Sequence, residues 1–199
     1  MKRLGLVIFF LFAVCVFSPA NNAGASSVQD QLKTTIDKVM QILSDPSLTG
    51  EESTAKRRAS LRKVIHERFS FAKMSQLSLA RHWNQRSDEE KKAFIELFGQ
   101  LLEDTYVAKI EAYTSEKVIY VKEFVKKNKA QVSTKVVSDT VEIPIDYRMY
   151  QAKDGSWMVY DMVIEGVSLV GNYRSQFDQI LRKNSYEKLV EELKEKMGS

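Results

Sequence analysis

Residues 130–165 read AQVSTKVVSDTVEIPIDYRMYQAKDGSWMVYDMVIE, and this stretch decides the fold. It holds three β-rich runs, 130–138, 141–151 and 156–165, divided by Asp139-Thr140 and Asp154-Gly155. Asp-Gly accepts the positive φ that a tight hairpin turn demands, so the last two runs read as neighbouring antiparallel strands. A two-residue turn there sets Ile145 opposite Ile164, Tyr147 opposite Met162 and Met149 opposite Tyr160. The same register brings Arg148 to Asp161 on the other side of the sheet, a structural charge pair that the opposite parity would not create. A two-residue Asp139-Thr140 turn pairs Val136 with Ile143, Thr134 with Ile145 and Val132 with Tyr147. One side of three strands is thereby apolar. Pro144 conflicts locally, because proline removes a ladder donor.

Upstream, 117–125 is a fourth strand, with Ile119 and Val121 expected on the apolar side. Before it, Ser87 and Glu90 have capping-box spacing. They open a helix whose apolar stripe runs through Phe94, Leu97, Phe98, Leu101, Leu102, Tyr106, Ile110 and Tyr113. Such a stripe needs a long surface to cover, and the sheet supplies one. Further out, Val28, Leu32, Ile36, Val39 and Leu43 recur at helical spacing until Asp45-Pro46. A second helix is expected from Glu51 to Phe69 and a short third around Phe71 to Leu79. Downstream, Ser168 and Ser185 start two more. The expected fold is α+β: a curved antiparallel four-stranded sheet covered by the long helix, with additional N- and C-terminal helices.

At the chain's start, Lys2 and Arg3 precede an apolar run from Leu4 to Phe17, and Ala23-Gly24-Ala25 is a small-x-small site. Residues 1–25 therefore read as a cleaved export signal, since the run is too short to span a bilayer. Residues 26–199 are then a single domain. Cys15 follows Val14 inside the run, and the small residue that a lipid-modified cysteine wants before it is missing. Without the leader, 28 basic face 26 acidic side chains. Bulk charge thus points to no partner class, nucleic acid included. No cysteine remains, which excludes disulfides, thiolate chemistry and cysteine-held metals.

Catalytic patterns are scarce. His66 and His82 have no metal-ligand spacing, and neither a phosphate loop nor a nucleophile elbow is present. Asp161 and Glu165 lie four apart on one strand, the one carboxylate pair that an enzyme built on this roll could use, with Asp161 as base. The simpler reading gives Asp161 to Arg148. No catalytic residue, metal or cofactor is expected. Lys56, Arg57, Arg58, Arg62 and Lys63 form a basic helix face, either an ordinary solvated face or, in an exported protein, a surface for lipid headgroups or an acidic partner.

The stretch from Tyr160 through Val170, YDMVIEGVSLV, continued by Asn172 to Phe177, NYRSQF, resembles the signature of the MlaC family of periplasmic phospholipid-binding proteins, also called the toluene-tolerance family. Phe71 to Trp83 and Phe94 to Tyr106 are similar to its earlier helical blocks. The sequence departs at Ser70, where the family often has an acid, and at Ala80, where glycine is usual. The resemblance implies a roll similar to the cystatin and nuclear-transport-factor folds. It also implies a monomeric periplasmic shuttle that carries phospholipid between an outer-membrane lipoprotein-porin complex and an inner-membrane ABC transporter with its substrate-binding ring, maintaining outer-membrane lipid asymmetry. A hopanoid or other isoprenoid cargo is an alternative. The acyl chains would lie between sheet and helix, against Phe98, Leu101, Leu102, Tyr106, Ile119, Val121, Val132, Val136, Ile143, Ile145, Tyr147, Met149, Tyr160, Met162 and Ile164.

Overall fold

In a computed structural model, residues 27–112 and 116–198 are described. The expected export signal and Tyr113 lie outside them. Helices α1 (Val28–Ser44), α2 (Thr54–His66), α3 (Phe71–Leu79) and α4 (Asp88–Glu111) precede strands β1 (Lys117–Lys126), β2 (Lys129–Val137), β3 (Glu142–Gln151), β4 (Trp157–Ile164) and β5 (Val167–Ser168). Helices α5 (Leu169–Leu181) and α6 (Tyr186–Gly198) follow. The sheet is an antiparallel meander in the order β1-β2-β3-β4-β5. It has five strands and not four: β5 is two residues long, too short for an alternation to betray it, and is turned back onto β4 by Glu165-Gly166.

The β2–β3 register is the expected one, with Val136, Thr134 and Val132 opposite Ile143, Ile145 and Tyr147. Ile145–Ile164, Tyr147–Met162 and Arg148–Asp161 also pair as expected. Met149 does not meet Tyr160; it pairs with Val159. Two irregularities cancel here. Gly155, at φ 86°, closes a loop in which the Gly155 amide bonds to Ala152 O and the Ala152 amide to Ser156 O, one residue longer than a two-residue turn. A bulge at Tyr160 then restores the register beyond it. At the bulge, the Ser70 amide bonds to Val159 O and the Val159 amide to Arg68 O, so the chain before α3 joins β4 as a short parallel bridge.

Pro144 is accommodated in a central strand. Its carbonyl accepts from the Glu165 amide at 3.0 Å, and a strand residue's nitrogen and carbonyl point the same way. The missing donor therefore faces the Glu165-Gly166 turn, where β4 has ended, and not β2.

Two cores result. One is helical: Phe94, Phe98, Leu101 and Leu102 of α4 pack with Met74, Leu79, Val170, Phe177, Leu189 and Leu193. The other lies beneath the sheet, where Val28 and Leu32 of α1 meet Ala130, Val132, Met149, Trp157 and Val159. Under the sheet α1 touches β1, β2 and β4, α3 and α5 pack at the β4 side, and α4 packs on α3 and α6. Arg68 pins α1 at this closed end, donating from Nη1 to Trp157 O at 2.6 Å and to Gln31 Oε1 at 3.1 Å, and from Nε to Thr35 Oγ1 at 3.2 Å.

The α4 start is the expected capping box: Ser87 Oγ accepts from the Glu90 amide and Glu90 Oε2 from the Ser87 amide. At α5, Ser168 Oγ accepts from the Gly171 amide at 2.9 Å while donating to Asp161 Oδ2 at 2.7 Å. A Cβ on residue 171 would sit 2.9 Å from that hydroxyl, so the cap requires glycine there.

Candidate functional site

Away from the closed end, α1 and the sheet diverge around a cavity of about 380 Å³, within the range usual for small-molecule sites. Its sheet wall is Val118, Val136, Ile143, Ile145, Tyr147, Met162 and Ile164. Facing them are Ile36, Val39, Met40 and Leu43 of α1, Leu61 and Ile65 of α2, and Leu102, Tyr106, Val107 and Ile110 from the C-terminal half of α4. Phe69, Phe71, Met74 and Leu169 line it where it approaches the helical core. The lining also includes the charged residues Arg58, Arg62, Glu103, Asp104, Lys109, Glu116 and Glu165.

Eight of the fifteen wall residues expected from sequence are thus brought together: Leu102, Tyr106, Val136, Ile143, Ile145, Tyr147, Met162 and Ile164. Phe98 and Leu101 are packed inside the helical core, and Val132 and Met149 inside the closed end of the sheet. Three face elsewhere. Pairing of Val118 with Val136 and Tyr120 with Thr134 gives the inner face of β1 to Val118 and Tyr120, so Ile119 points outward and Val121 becomes the bulged residue. Both are about half exposed. Tyr160 stands on the outer side of its own bulge, its ring 6.3 Å from Tyr150.

The wall contributed by α1, α2, Val107 and Val118 was not expected. Its signal was the α1 stripe itself, which repeats at helical spacing over a long segment and needs a partner of its own. No local pattern says that this stripe and the α4 stripe share the same sheet face.

The basic face of α2 is partly paired within the chain. Arg57 Nε lies 2.9 Å from Glu111 Oε1, and Arg58 reaches Glu111 Oε2 through Nη2 at 2.9 Å and Nε at 3.1 Å. Arg62 pairs with Glu103, whose other oxygen is 2.6 Å from His66 Nε2. The Arg58 hydrogen bond, ahead of the opposing effect of burial, holds the Glu111 carboxyl below its usual range. These pairs tie α2 to α4 over the cavity. Lys56 and Lys63 are exposed, Arg58 and Arg62 stay about half exposed, and Arg57 and Arg58 share one carboxylate, so the face keeps a reduced positive charge.

Asp161 is 4% exposed and fully engaged, accepting from Arg148 Nη1 at 3.0 Å, Ser168 Oγ at 2.7 Å and the Val170 amide at 3.0 Å. It anchors α5 to β4. These contacts match the simpler reading that gives Asp161 to Arg148. His82 is a packed residue with Nε2 3.0 Å from Asp178 Oδ1. Among the described residues no cluster of His, Cys, Asp or Glu could hold a metal, and no helix is long and apolar enough to cross a membrane.

A family model described as "MlaC protein" matches residues 33–195. The intermembrane phospholipid transport system binding protein MlaC of Haemophilus influenzae is 26% identical over 122 residues, 59% of this chain and 57% of that protein, so the match spans little more than half of the relative's length. Among solved structures, a phospholipid-binding protein from Ralstonia solanacearum in complex with a phospholipid superposes with a TM-score of 0.77 at 26% identity, covering 86% of this chain and 97% of the other.

Proposed function

The chain belongs to the MlaC protein family, and from that premise we propose that it is a phospholipid-binding transport protein that carries its cargo's acyl chains in the cavity between α1, α4 and the sheet. The observation that carries this reading is the apolar wall. Two helix stripes and one sheet face, each of which would ordinarily bury itself against another, converge on a shared space.

Energetics then define what a carrier does. Two acyl chains of about 30 methylenes, at ~0.8 kcal/mol each, keep on the order of 20 to 25 kcal/mol of hydrocarbon hydration from being incurred. Release into water is prohibitive. Transfer from bilayer to cavity exchanges one dry environment for another and is close to neutral, so the protein needs no bond-breaking residue, and direction comes from its partners. We assign it to the periplasm as a single domain following a cleaved leader. There it would move phospholipid between an outer-membrane lipoprotein-porin complex and an inner-membrane ABC transporter whose ATP hydrolysis sets the direction. The names of the similar proteins, one from a transport system and one bound to phospholipid, support the cargo class.

Organic extraction of the purified protein, read by mass spectrometry, tests the proposal. The extract is expected to contain phospholipid in near-equal molar amount to protein. Met162→Asp and Tyr147→Asp, each adding a charge to the cavity wall, are expected to fold and to lose at least nine-tenths of that lipid. An empty native extract, or folded variants that keep their full load, would sink the carrier reading; an isoprenoid mass would reassign the cargo.

A further inference from the structure

We propose that the outer edge of the sheet is a docking surface for an anionic phospholipid bilayer, separate from the cavity and from the α2 face. The strand β1 pairs with β2 on one side only and is the free edge of the sheet. Along it, Ile119, Val121, Phe124 and Val125 are 49%, 56%, 57% and 46% exposed, so most of the large exposed apolar side chains among the described residues fall on this one strand. The register sets Ile119 and Phe124 on the outer side, opposite Lys135 and Gln131, and Val125 on the inner side, opposite Ala130, so the apolar stripe wraps the edge itself; exposed apolar surface of that kind is a contact site in waiting.

Charge complementarity selects the occupant. Lys117, Lys122, Lys126, Lys127 and Lys129 are all exposed around the stripe. The strand's single acid, Glu123, accepts at Oε2 from the Gln29 amide in the first turn of α1 at 2.6 Å, and the five lysines outnumber it by four charges. What remains is cationic and apolar together, the combination that binds negatively charged headgroups while resting hydrophobic side chains at their base. Addition of a partner's strand is opposed by the same edge, because the bulge at Val121 interrupts the row of backbone groups that such a strand would need.

The test is co-sedimentation of the purified protein with vesicles of pure phosphatidylcholine and with vesicles containing phosphatidylglycerol, at an ionic strength of about 0.1 M. Association with the anionic vesicles alone is expected, and added salt should abolish it. Replacing Lys122 and Lys126 together by Gln should weaken it about 25-fold, taking roughly fivefold per lysine. Phe124→Ser combined with Val125→Ser should weaken it further with little loss of fold, since both side chains are about half exposed. Gln at Lys183 and Lys194, exposed cations of the helical half, makes the same change in net charge elsewhere and should leave vesicle binding within about twofold, because contributions fall away beyond a Debye length of about 10 Å. Equal weakening by the two lysine pairs, or unchanged binding in the β1 variants, would overturn the assignment. So would the absence of sedimentation with phosphatidylglycerol vesicles, which would leave the stripe to an acidic protein partner. Lipid extracted from the same preparations reports on the cavity independently.

Discussion

The two halves of α4 carry the same kind of apolar stripe and meet different fates. In its N-terminal half, Phe94 and Phe98 are fully buried, with ring centroids 5.8 and 5.5 Å from that of Phe177, and α3, α5 and α6 close around them. In its C-terminal half, Leu102, Tyr106, Val107 and Ile110 face the sheet across a cavity. Hydrophobic residues at helical spacing do not by themselves specify a core; they specify a surface that must be covered, and the rest of the fold decides by what. The closed half gives the molecule its stability, which leaves the open half free to be covered by a guest.

The strongest way to break that contrast is to cut each half by a similar volume. Phe98→Ala is expected to cost about 3–5 kcal/mol, because surrounding rings cannot collapse into the void. Ile143→Ala, in a wall that already borders space, should cost less than half as much and act instead on lipid content. Urea unfolding of both variants, with delipidated protein, checks the ratio. Equal losses would mean that the cavity wall is packed as tightly as the helical core.

Most of the secondary structure was legible because it is written locally. The Ser87 and Glu90 spacing, the β2–β3 turn and the Arg148–Asp161 pair follow from short-range rules about caps, turns and parity. The β3–β4 register was read correctly next to the cavity even though the turn is one residue longer than expected, since the Tyr160 bulge restores it; Met149 and Tyr160 were misplaced because nothing in the local alternation marks a bulge. Ile119 and Val121 failed for the opposite reason. Both faces of β1 are mixed, so its parity is set by pairing with β2 and not by composition. The wall given by α1 was illegible as a wall, because which helix lies on which sheet face is a tertiary fact. The α2 cations looked free only because Glu103 and Glu111, distant in sequence, could not be seen to pair with them.

Those ion pairs supply the next test of the open half. Glu111 has a depressed pKa in the folded protein, so its contribution is complete above its unperturbed 4.5 and is lost as pH falls below that value. Glu103 and Glu111 are both mostly buried, and changing the two to Gln removes the anionic side of the tie between α2 and α4. About 1–3 kcal/mol of stability should go at neutral pH, with lipid exchange into acceptor vesicles accelerated. The native protein and the single variant Glu111→Gln should converge as the pH is taken below 4.5, measured by urea unfolding at each pH. A gap that persists at acid pH would mean that the carboxylate acts through packing and not through charge.

The smallest effect belongs to the closed half and sharpens the contrast from that side. Ala80 follows α3 at φ 47° and ψ −116°, a conformation that a Cβ makes unfavourable and glycine adopts freely. The turn is held there because the next two residues must reach α5: Arg81 Nη2 and His82 Nε2 lie 2.7 and 3.0 Å from Asp178 Oδ1. Strain of this kind costs roughly 1–3 kcal/mol, and glycine returns some of that through a freer unfolded chain. Ala80→Gly should therefore stabilise the fold by about 1 kcal/mol, seen as a rise in Tm of about 2–4 °C. Because residue 80 lies away from the cavity wall, bound lipid should not change. A Tm that stays level or falls would mean that the backbone relaxes around the alanine. A gain in Tm accompanied by loss of lipid would mean that the two halves are mechanically coupled, and that the firmness of the helical core sets how far the cavity can open.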